Sequence, residues 1–251
     1  MGIPGFITVR TASSRLKKKC LLRFGEGNVL EHIIRRARFF GFEPLVCTTS
    51  LEEDDLLEQI AENEHCLVYR GSAEDKLQRW LGACEKFGIM SFHTIDADDP
   101  FFDGQLGQES FQLLGQGYDI VYPSTRVYIG GVGFSVTRDT IRRACSMKHS
   151  DDTEMMWYFI EKVPHIKKIE LPVPDARTAN IRLTLDYEED YWTLLTVLRI
   201  LGPQATRGEI EDLFSRNPDL HKINWFRNVE WKRMQEEKVP DPRSDGGEQM
   251  R

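Results

Sequence analysis

Short apolar runs alternate with longer amphipathic segments along the first half of the chain. Strands are predicted at residues 6–9, 44–49, 66–69, 92–95 and 118–122, where Val, Ile, Leu and Phe cluster. Apolar residues at helical spacing predict helices over residues 28–40, 51–62, 73–87 and 105–114, with Asn28 and Ser72 as N-caps. Nearly continuous apolar strands that alternate with helices are typical of a three-layer α/β fold, with a mostly parallel, Rossmann-like sheet covered by helices on both faces.

The second half of the chain is less regular. Strands are predicted at residues 129–136, 166–171 and 181–185, and helices over residues 138–147, 153–162, 188–201, 207–215 and 224–237. We therefore expect an α/β domain over residues 1–203. A helical extension over residues 204–238 is expected to pack on the core or on a partner. Residues 239–251 are rich in Pro, Gly and charge, which favours a disordered tail.

Composition restricts the possible partners of the chain. Its 251 residues carry a net charge of −7, which disfavours nucleic-acid binding because a phosphate backbone attracts a basic surface. The five cysteines are scattered and form no CxxC pair, so a reducing compartment and a cytoplasmic location are expected. No apolar run approaches the roughly 18 residues that a membrane span needs. The sequence therefore predicts no membrane or nucleic-acid partner.

A basic loop, residues 10–19, follows the first predicted strand. Its sequence RTASSRLKKK holds five cations within an otherwise acidic chain. Ligands of open α/β sheets bind beyond the carboxyl ends of the strands, and phosphates are bound by Lys, Arg and loop N–H groups. The alternative is a solvated charge run or a localisation-type patch. The position after the first strand favours a phosphate site, although the loop lacks the GxxxxGK[ST] pattern.

Carboxylates follow two other predicted strands. Asp96, Asp98 and Asp99 come directly after the run at residues 92–95, and carboxylate oxygens suit Mg²⁺. The alternative is an Asp-rich turn. Asp186 closes the run at residues 181–185 and is either a second Mg²⁺ ligand or the cap of the next helix. The spacing leaves both possibilities open.

Three further groups suit either a structural or a functional role. The third strand–helix junction offers either helix caps or nucleotide contacts, from Gly71, Ser72, Asp75 and Arg79. Gly130 and Gly131 permit either close approach of the backbone to a ligand or a tight turn. Asp152 and Glu154 lie at a predicted helix start, where the helix dipole alone favours acidic residues.

The basic loop resembles a known family signature. Residues 9–21, VRTASSRLKKKCL, are similar to the R-x-x-S-[ST]-R-L-P-x-K pattern of the CMP-sugar-acid cytidylyltransferases, and the spore-coat-polysaccharide type is more similar than the 3-deoxy-manno-octulosonate type. The matching residues are Arg10, Ser13, Ser14, Arg15, Leu16 and Lys19. Lys17 and Lys18 replace the Pro and the neighbouring Gly of the family. Residues 28–34, 69–79, 95–100 and 182–190 resemble later family segments in the same order.

This resemblance implies a nucleotide-diphosphate-sugar transferase fold that uses CTP and Mg²⁺. The hydroxyl of a sugar acid attacks the α-phosphorus, and pyrophosphate leaves. Arg10, Arg15 and Lys19 are then catalytic, and Asp98 and Asp186 hold Mg²⁺. The implied nucleotide-binding residues are Arg10, Thr11, Ala12, Ser13, Ser14, Arg15, Lys19, Arg70, Gly71, Ser72, Asp75, Arg79 and Asp96. The implied acceptor-binding residues are Gly130, Gly131, Asp152, Glu154 and Arg182.

Departures from the family leave the acceptor open. Lys17 removes the restraint of proline, so the loop is either more mobile than in the family or suited to an unusually anionic substrate. The segments at residues 129–133 and 152–156 differ from the octulosonate enzymes, so only a small acidic acceptor is expected. The alternatives are use of another nucleoside triphosphate, or a glycosyltransferase or non-catalytic nucleotide-sugar binder on the same fold. Dimers are common in the family, which makes a homodimer one expected assembly.

Overall fold

A mostly parallel sheet forms the centre of the molecule. The computed structural model describes residues 2–13, 15–173 and 180–237, with side chains as far as Met234. The strands of the sheet are β1 (Ile3–Thr8), β4 (Phe42–Thr49), β5 (Leu67–Gly71), β6 (Ser91–Asp96), β7 (Ile120–Tyr122), β8 (Ser135–Thr137) and β9 (Lys168–Glu170), and a small hairpin joins β2 (Arg23–Phe24) to β3 (Gly27–Asn28). The sheet order is β5-β4-β1-β6-β8-β7-β9, and β8 runs antiparallel to both of its neighbours.

Helices connect these strands and cover the sheet. They are α1 (Val29–Phe39), α2 (Asp55–Asn63), α3 (Lys76–Phe87), α4 (Gly104–Leu114), α5 (Arg138–Met147), α6 (Met156–Glu161), α7 (Glu188–Leu201), α8 (Arg207–Arg216) and α9 (Arg227–Glu237). Short 3₁₀ turns lie at Lys19–Leu21, Glu52–Asp54 and Leu220–Ile223. Among the described residues, no helix combines the length and the apolar character that crossing a bilayer would require.

The two faces of the sheet carry separate parts of the core. Successive residues of a strand point to opposite faces, and in β1 the buried Ile7 packs with apolar residues of α1, α2 and α7. Its neighbour Phe6 packs on the other face, with Trp80 of α3 and Ile141 of α5. This three-layer α/β arrangement, with further helices near the C-terminus, confirms the predicted fold class.

Local sequence signals define some helix ends and not others. Asn28 caps α1 as predicted, because its side chain accepts from the Glu31 amide while the Glu31 carboxylate accepts from the Asn28 amide. The prediction that Ser72 caps α3 is wrong. Asp75 is the cap, and it accepts a hydrogen bond from the Gln78 amide. Ser72 instead accepts from the Asp75 amide, one turn before the helix begins.

The segment at residues 181–185 is not a strand of the sheet, contrary to the prediction. It forms only an isolated bridge between Arg182 and Ile129. The Leu185 amide donates to the carbonyl of Asp98 over 2.6 Å. The segment is apolar because it is buried between two loops. Backbone groups of these loops form hydrogen bonds with the backbone of the segment. Consequently Asp186 is brought next to the loop after β6.

Residues after 204 contribute to the same core as the sheet. Ala205, Ile210 and Phe214 are buried and belong to the cluster that contains Ile7. Two asparagines farther along the chain, Asn224 and Asn228, are also buried. Their side chains contact the segment around Arg182.

Candidate active site

A cleft opens where the order of the strands reverses. The chain builds the sheet outward from β1 through β4 to β5 and then returns to β6 on the other side of β1. Ligands of such sheets bind at this reversal, beyond the carboxyl ends of the strands. The lining residues come from the ends of β1 and β6, the basic loop, the start of α3 and the turn before α6; they are Thr8, Val9, Arg10, Ala12, Ser13, Arg15, Lys19, Cys20, Ala73, Glu74, Lys76, Arg79, Asp96, Ala97, Asp98 and Glu154.

Lys19 connects the two predicted metal ligands. Its Nζ lies 2.8 Å from Asp98 Oδ2 and 2.9 Å from Asp186 Oδ1. Arg15 Nη2 donates to the same Asp186 oxygen over 2.5 Å. The basic loop and the two carboxylates, which are far apart in the sequence, therefore form one ion cluster at the cleft.

Burial and charge act against each other in this cluster. Burial favours a lower pKa for Lys19, but the carboxylates of Asp98 and Asp186 raise this pKa above its usual value. Burial favours a higher pKa for Asp186, but Lys19 and Arg15 lower it to about 2. Asp186 is therefore ionised throughout the neutral range, and a cation between the two carboxylates is electrostatically favoured.

The turn after β6 gathers three carboxylates that could hold a metal ion. Asp96, Asp98 and Asp99 each place an oxygen within 4.8 Å of the others. Burial and then the charge of Asp98 raise the pKa of Asp99 well above its usual value. Lys76 offsets part of this negative charge, since its Nζ lies 3.1 Å from Asp96 Oδ1. Carboxylates that lie this close together and attract nearby ammonium groups fit a divalent cation.

Two buried arginine donors at the cleft are unused. Arg15 Nε and Arg79 Nε are both buried and lack a hydrogen-bond partner among the described residues. Leaving a buried donor unpaired is costly, so such a group calls for a partner such as a ligand or an ordered water. Both guanidinium groups line the cleft, where they could donate to phosphate oxygens.

Glu154, one of the predicted acceptor-binding residues, contacts the basic loop. Its Oε2 accepts from Arg10 Nη2 over 2.8 Å. The segment before α6 is fixed by Thr153, whose hydroxyl donates to Asp75 Oδ1 over 2.9 Å and accepts from the Leu77 amide. Asp75 therefore contributes to the cleft indirectly, because it holds this segment against the start of α3.

Several predicted nucleotide-binding residues do not line the cleft. The Thr11 amide and hydroxyl both donate to Asp54 Oδ1, which anchors the basic loop to the turn before α2. Arg70 is paired with Asp55 and Glu58. Gly71 ends β5 and Ser72 follows it, and β5 is separated from β1 by β4. Ser14 lies outside the described residues.

Most of the predicted acceptor-binding residues also lie away from the cleft. Gly130 has φ +81°, and a Cβ there would come within 2.7 Å of the Thr184 amide, so glycine is required for chain packing. Gly131 accepts from the Asp103 amide, and the exposed Asp152 accepts from the Glu154 amide.

Arg182 does not face the cleft at all. Its side chain is 0% exposed and forms a two-point ion pair with Asp190, at 2.8 and 3.0 Å. Direct contact with a substrate would require this buried pair to break, which is energetically unfavourable. The burial of Arg182 therefore corrects the prediction of direct acceptor contact and indicates a structural role beside Asp186.

Sequence reasoning missed Lys76 and undervalued Asp99. Lys76 begins α3 and points to Asp96, and its Nζ also lies 5.0 Å from the centre of the Trp80 ring. A lysine at an acidic helix start gives no local signal of this contact. A useful signal would have been its position at a strand–helix junction of the predicted sheet, four residues after Ser72.

Comparisons with known proteins point to one enzyme family. The cytidylyltransferase family model matches residues 5–170. The spore coat polysaccharide biosynthesis protein SpsF of Bacillus subtilis is 27% identical over 226 residues, which cover 85% of this chain and 94% of SpsF.

Two solved structures show the same fold. A cytidylyltransferase from Leptospira borgpetersenii has a TM-score of 0.78 at 24% identity, with 88% of this chain and 96% of that chain covered. A CMP:2-keto-3-deoxy-manno-octonic acid synthetase complexed with CTP has a TM-score of 0.59 at 14% identity, with 79% and 99% covered. Because the family model matches well over half of its residues, the chain belongs to the cytidylyltransferase family and is a nucleotidyltransferase.

Proposed function

We propose that this enzyme transfers the cytidylyl group of CTP to a small acid, most suitably a sugar acid, with Mg²⁺ as cofactor and pyrophosphate as the second product. The observation that carries the proposal is the meeting of the basic loop and the acidic turn at one cleft, through Lys19, Asp98 and Asp186. Cations for a triphosphate and carboxylates for its metal ion are both needed for nucleotidyl transfer.

The proposed metal site uses Asp98 and Asp186, with Asp96 and Asp99 beside them. The ammonium of Lys19 lies between Asp98 and Asp186, so this position favours positive charge. A bound Mg²⁺ would withdraw charge from the phosphates as the new bond forms. Binding of Mn²⁺, measured by electron paramagnetic resonance, should weaken in Asp98→Asn even when no acceptor is present.

The proposed phosphate ligands are the cations of the cleft. Arg15 and Lys19 would neutralise the departing pyrophosphate, with help from Arg10. The unpaired Nε donors of Arg15 and Arg79 support this role, because phosphate oxygens would satisfy them. Phosphoryl and nucleotidyl transfer depend mainly on alignment and charge stabilisation, so the proposal requires no dedicated acid–base residue.

The proposed acceptor is anionic because the basic loop carries positive charge beyond that of Arg10, Arg15 and Lys19. Lys17 and Lys18 are exposed and form no ion pair among the described residues. The similarity to SpsF supports a role in making polysaccharide or glycan precursors. Thr8, Arg10 and Glu154 lie on the walls of the cleft where such an acceptor would enter.

Nucleotide preference and acceptor class can be tested together. In a thermal-shift panel of CTP, UTP, GTP and ATP with Mg²⁺, CTP should stabilise the protein most, by about 2.7 kcal/mol at a hundredfold excess over its dissociation constant. A panel of sugar acids should then be incubated with CTP and the products analysed by mass spectrometry. A CMP conjugate of an acid supports the proposal. Preferential binding and turnover of another triphosphate would overturn it.

A further inference from the structure

We propose that Asn224 and Asn228, near the C-terminal end of the described chain, are positioning residues for the active site, acting through Arg182 on Asp186. The inference rests on the proposed function only for the role of Asp186. Both asparagines lie far beyond residue 170, where the match to the family model ends. The segment that holds the two asparagines would therefore help to position Asp186, in addition to packing on the core.

The inner part of the network holds Asp186 from behind. Asp186 Oδ1 accepts from Lys19 and Arg15 at the cleft, and Oδ2 accepts from Arg182 Nη2 over 3.4 Å. The Asp186 amide donates to Asp190 Oδ2 over 3.0 Å, and Arg182 pairs with the same Asp190 carboxylate. The side chain and the backbone of Asp186 are thus fixed by one buried arginine–aspartate pair.

The outer part of the network comes from the asparagines. Asn224 Nδ2 donates to Asp190 Oδ1 and to the carbonyl of Arg182, both over 2.9 Å. Asn228 Oδ1 accepts from Arg182 Nη1 over 3.1 Å. The aromatic ring of Trp231 lies 5.4 Å from the Arg182 guanidinium. Each polar group of the buried pair that faces away from the cleft is therefore bound by this segment.

Charge and burial make these contacts important for position. Arg182 and Asp190 are fully buried, and a buried ion pair keeps a single geometry only when its remaining donors and acceptors are satisfied. Loss of the Asn228 acceptor would leave Arg182 Nη1 without this partner. The guanidinium would then be free to turn away from Asp186 Oδ2, its weakest contact at 3.4 Å.

Asn228 offers a sharp test because only its oxygen is used. Its Nδ2 is buried without a hydrogen-bond partner among the described residues. Asn228→Asp keeps an oxygen acceptor for Arg182 and replaces the unpaired donor with a carboxylate oxygen whose charge pairs with the guanidinium, whereas Asn228→Ala removes the acceptor. Asn217→Ala is the matched control, because Asn217 lies in the same part of the chain and its side chain, among the described residues, donates to the Leu213 carbonyl and does not contact the Arg182 network.

The first measurement is steady-state kinetics with CTP and the acceptor, well below the melting temperature of every variant. Asn228→Ala should lower kcat by about tenfold, the scale expected for loss of a group that orients a metal ligand, with little change in KM for CTP. Asn228→Asp and Asn217→Ala should keep kcat near that of the wild type. If Asn228→Ala lowers the melting temperature but leaves kcat unchanged, the network stabilises the fold without positioning Asp186, and the inference is wrong.

The second measurement does not depend on the proposed function. Lysine acetylation by acetic anhydride, followed by peptide mass spectrometry, reports how firmly Asp186 holds the Lys19 ammonium. The exposed Lys86 serves as an internal reference for reagent concentration. Lys19 should be labelled several times faster in Asn228→Ala than in the wild type, Asn228→Asp or Asn217→Ala. Equal labelling of Lys19 in all four proteins would overturn the inference, whether or not the wild type uses CTP.

Discussion

Lys19 Nζ lies 2.9 Å from Asp186 Oδ1, although the two residues are 167 positions apart in the sequence. Their contact joins the basic loop, which lines the cleft, to the segment after residue 181. Asp98 shares the same ammonium from the end of β6. The Lys19 ammonium thus links three separate parts of the chain.

Lys19→Met should destabilise the protein when no divalent metal is present. The change leaves Asp98 and Asp186 without the ammonium between them, and loss of one partner from a buried charge cluster costs about 3 kcal/mol. Urea unfolding in EDTA measures this cost. Added Mg²⁺ should restore more stability to Lys19→Met than it adds to the wild type, whereas the surface control Lys86→Met should respond like the wild type. Equal responses of all three proteins to Mg²⁺ would argue against a cation site here.

Asp99→Asn should stabilise the protein at neutral pH in metal-free buffer. Burial and the neighbouring Asp98 raise the pKa of Asp99 well above its usual value. A carboxyl whose folded pKa is raised favours folding at low pH, and this contribution is lost as pH rises through the folded pKa. Asparagine removes the charge and keeps an oxygen for the Thr184 hydrogen bond. Thermal unfolding should show a higher midpoint for Asp99→Asn at pH 7 and a smaller difference at pH 4.

Mild acid should destabilise the protein through His32. Burial lowers the pKa of His32 from 6.5 to about 4, while its Nε2 bonds to the Pro100 carbonyl at 2.8 Å. A base with a lowered folded pKa contributes stability above pH 6.5 that is lost progressively as pH falls to about 4. This loss amounts to about 3 kcal/mol.

Urea unfolding between pH 7 and pH 4 measures the His32 contribution. His32→Gln keeps a donor for Pro100 and should flatten the dependence of unfolding free energy on pH. The exposed control His149→Gln should leave the dependence unchanged. If the unfolding free energy depends on pH with the same slope in the wild type and in His32→Gln, groups other than His32 cause the acid sensitivity.

Lys18→Gly should stabilise the fold. Lys18 has φ 51° and ψ 34°, the left-handed conformation that costs a side-chain-bearing residue about 1 kcal/mol. Glycine adopts this conformation without the steric cost that a Cβ brings. Lys17→Gly is the control, because the φ of Lys17 is not positive and extra chain entropy should slightly destabilise the protein. Equal effects of the two substitutions on the melting temperature would refute the strain at Lys18.

The parts of the fold that depend on local pattern were predictable from the sequence. The capping box of Asn28 and Glu31 lies within four residues, and the bounds of α5 and α7 follow from helical spacing alone. The position of the basic loop after β1 also followed from the alternation of strands and helices. These features need no knowledge of distant neighbours.

Features that depend on tertiary contacts were not predictable in the same way. Arg182 reads as a polar residue in an apolar run, and only its partners Asp190 and Asn228, 8 and 46 positions away, explain its burial. Lys76 is similarly positioned by its ion pair with Asp96, which lies at the end of β6. Residues 181–185 resemble a strand because they are buried, yet their backbone partners are two loops.

The most direct test of the central claim is magnesium-dependent release of pyrophosphate from CTP in the presence of acidic acceptors, compared between the wild type, Asp98→Asn and Asp186→Asn. We expect activity in the wild type that EDTA abolishes and Mg²⁺ restores, and a loss of about a hundredfold in kcat/KM in each variant. Full activity in both variants would contradict the proposed site.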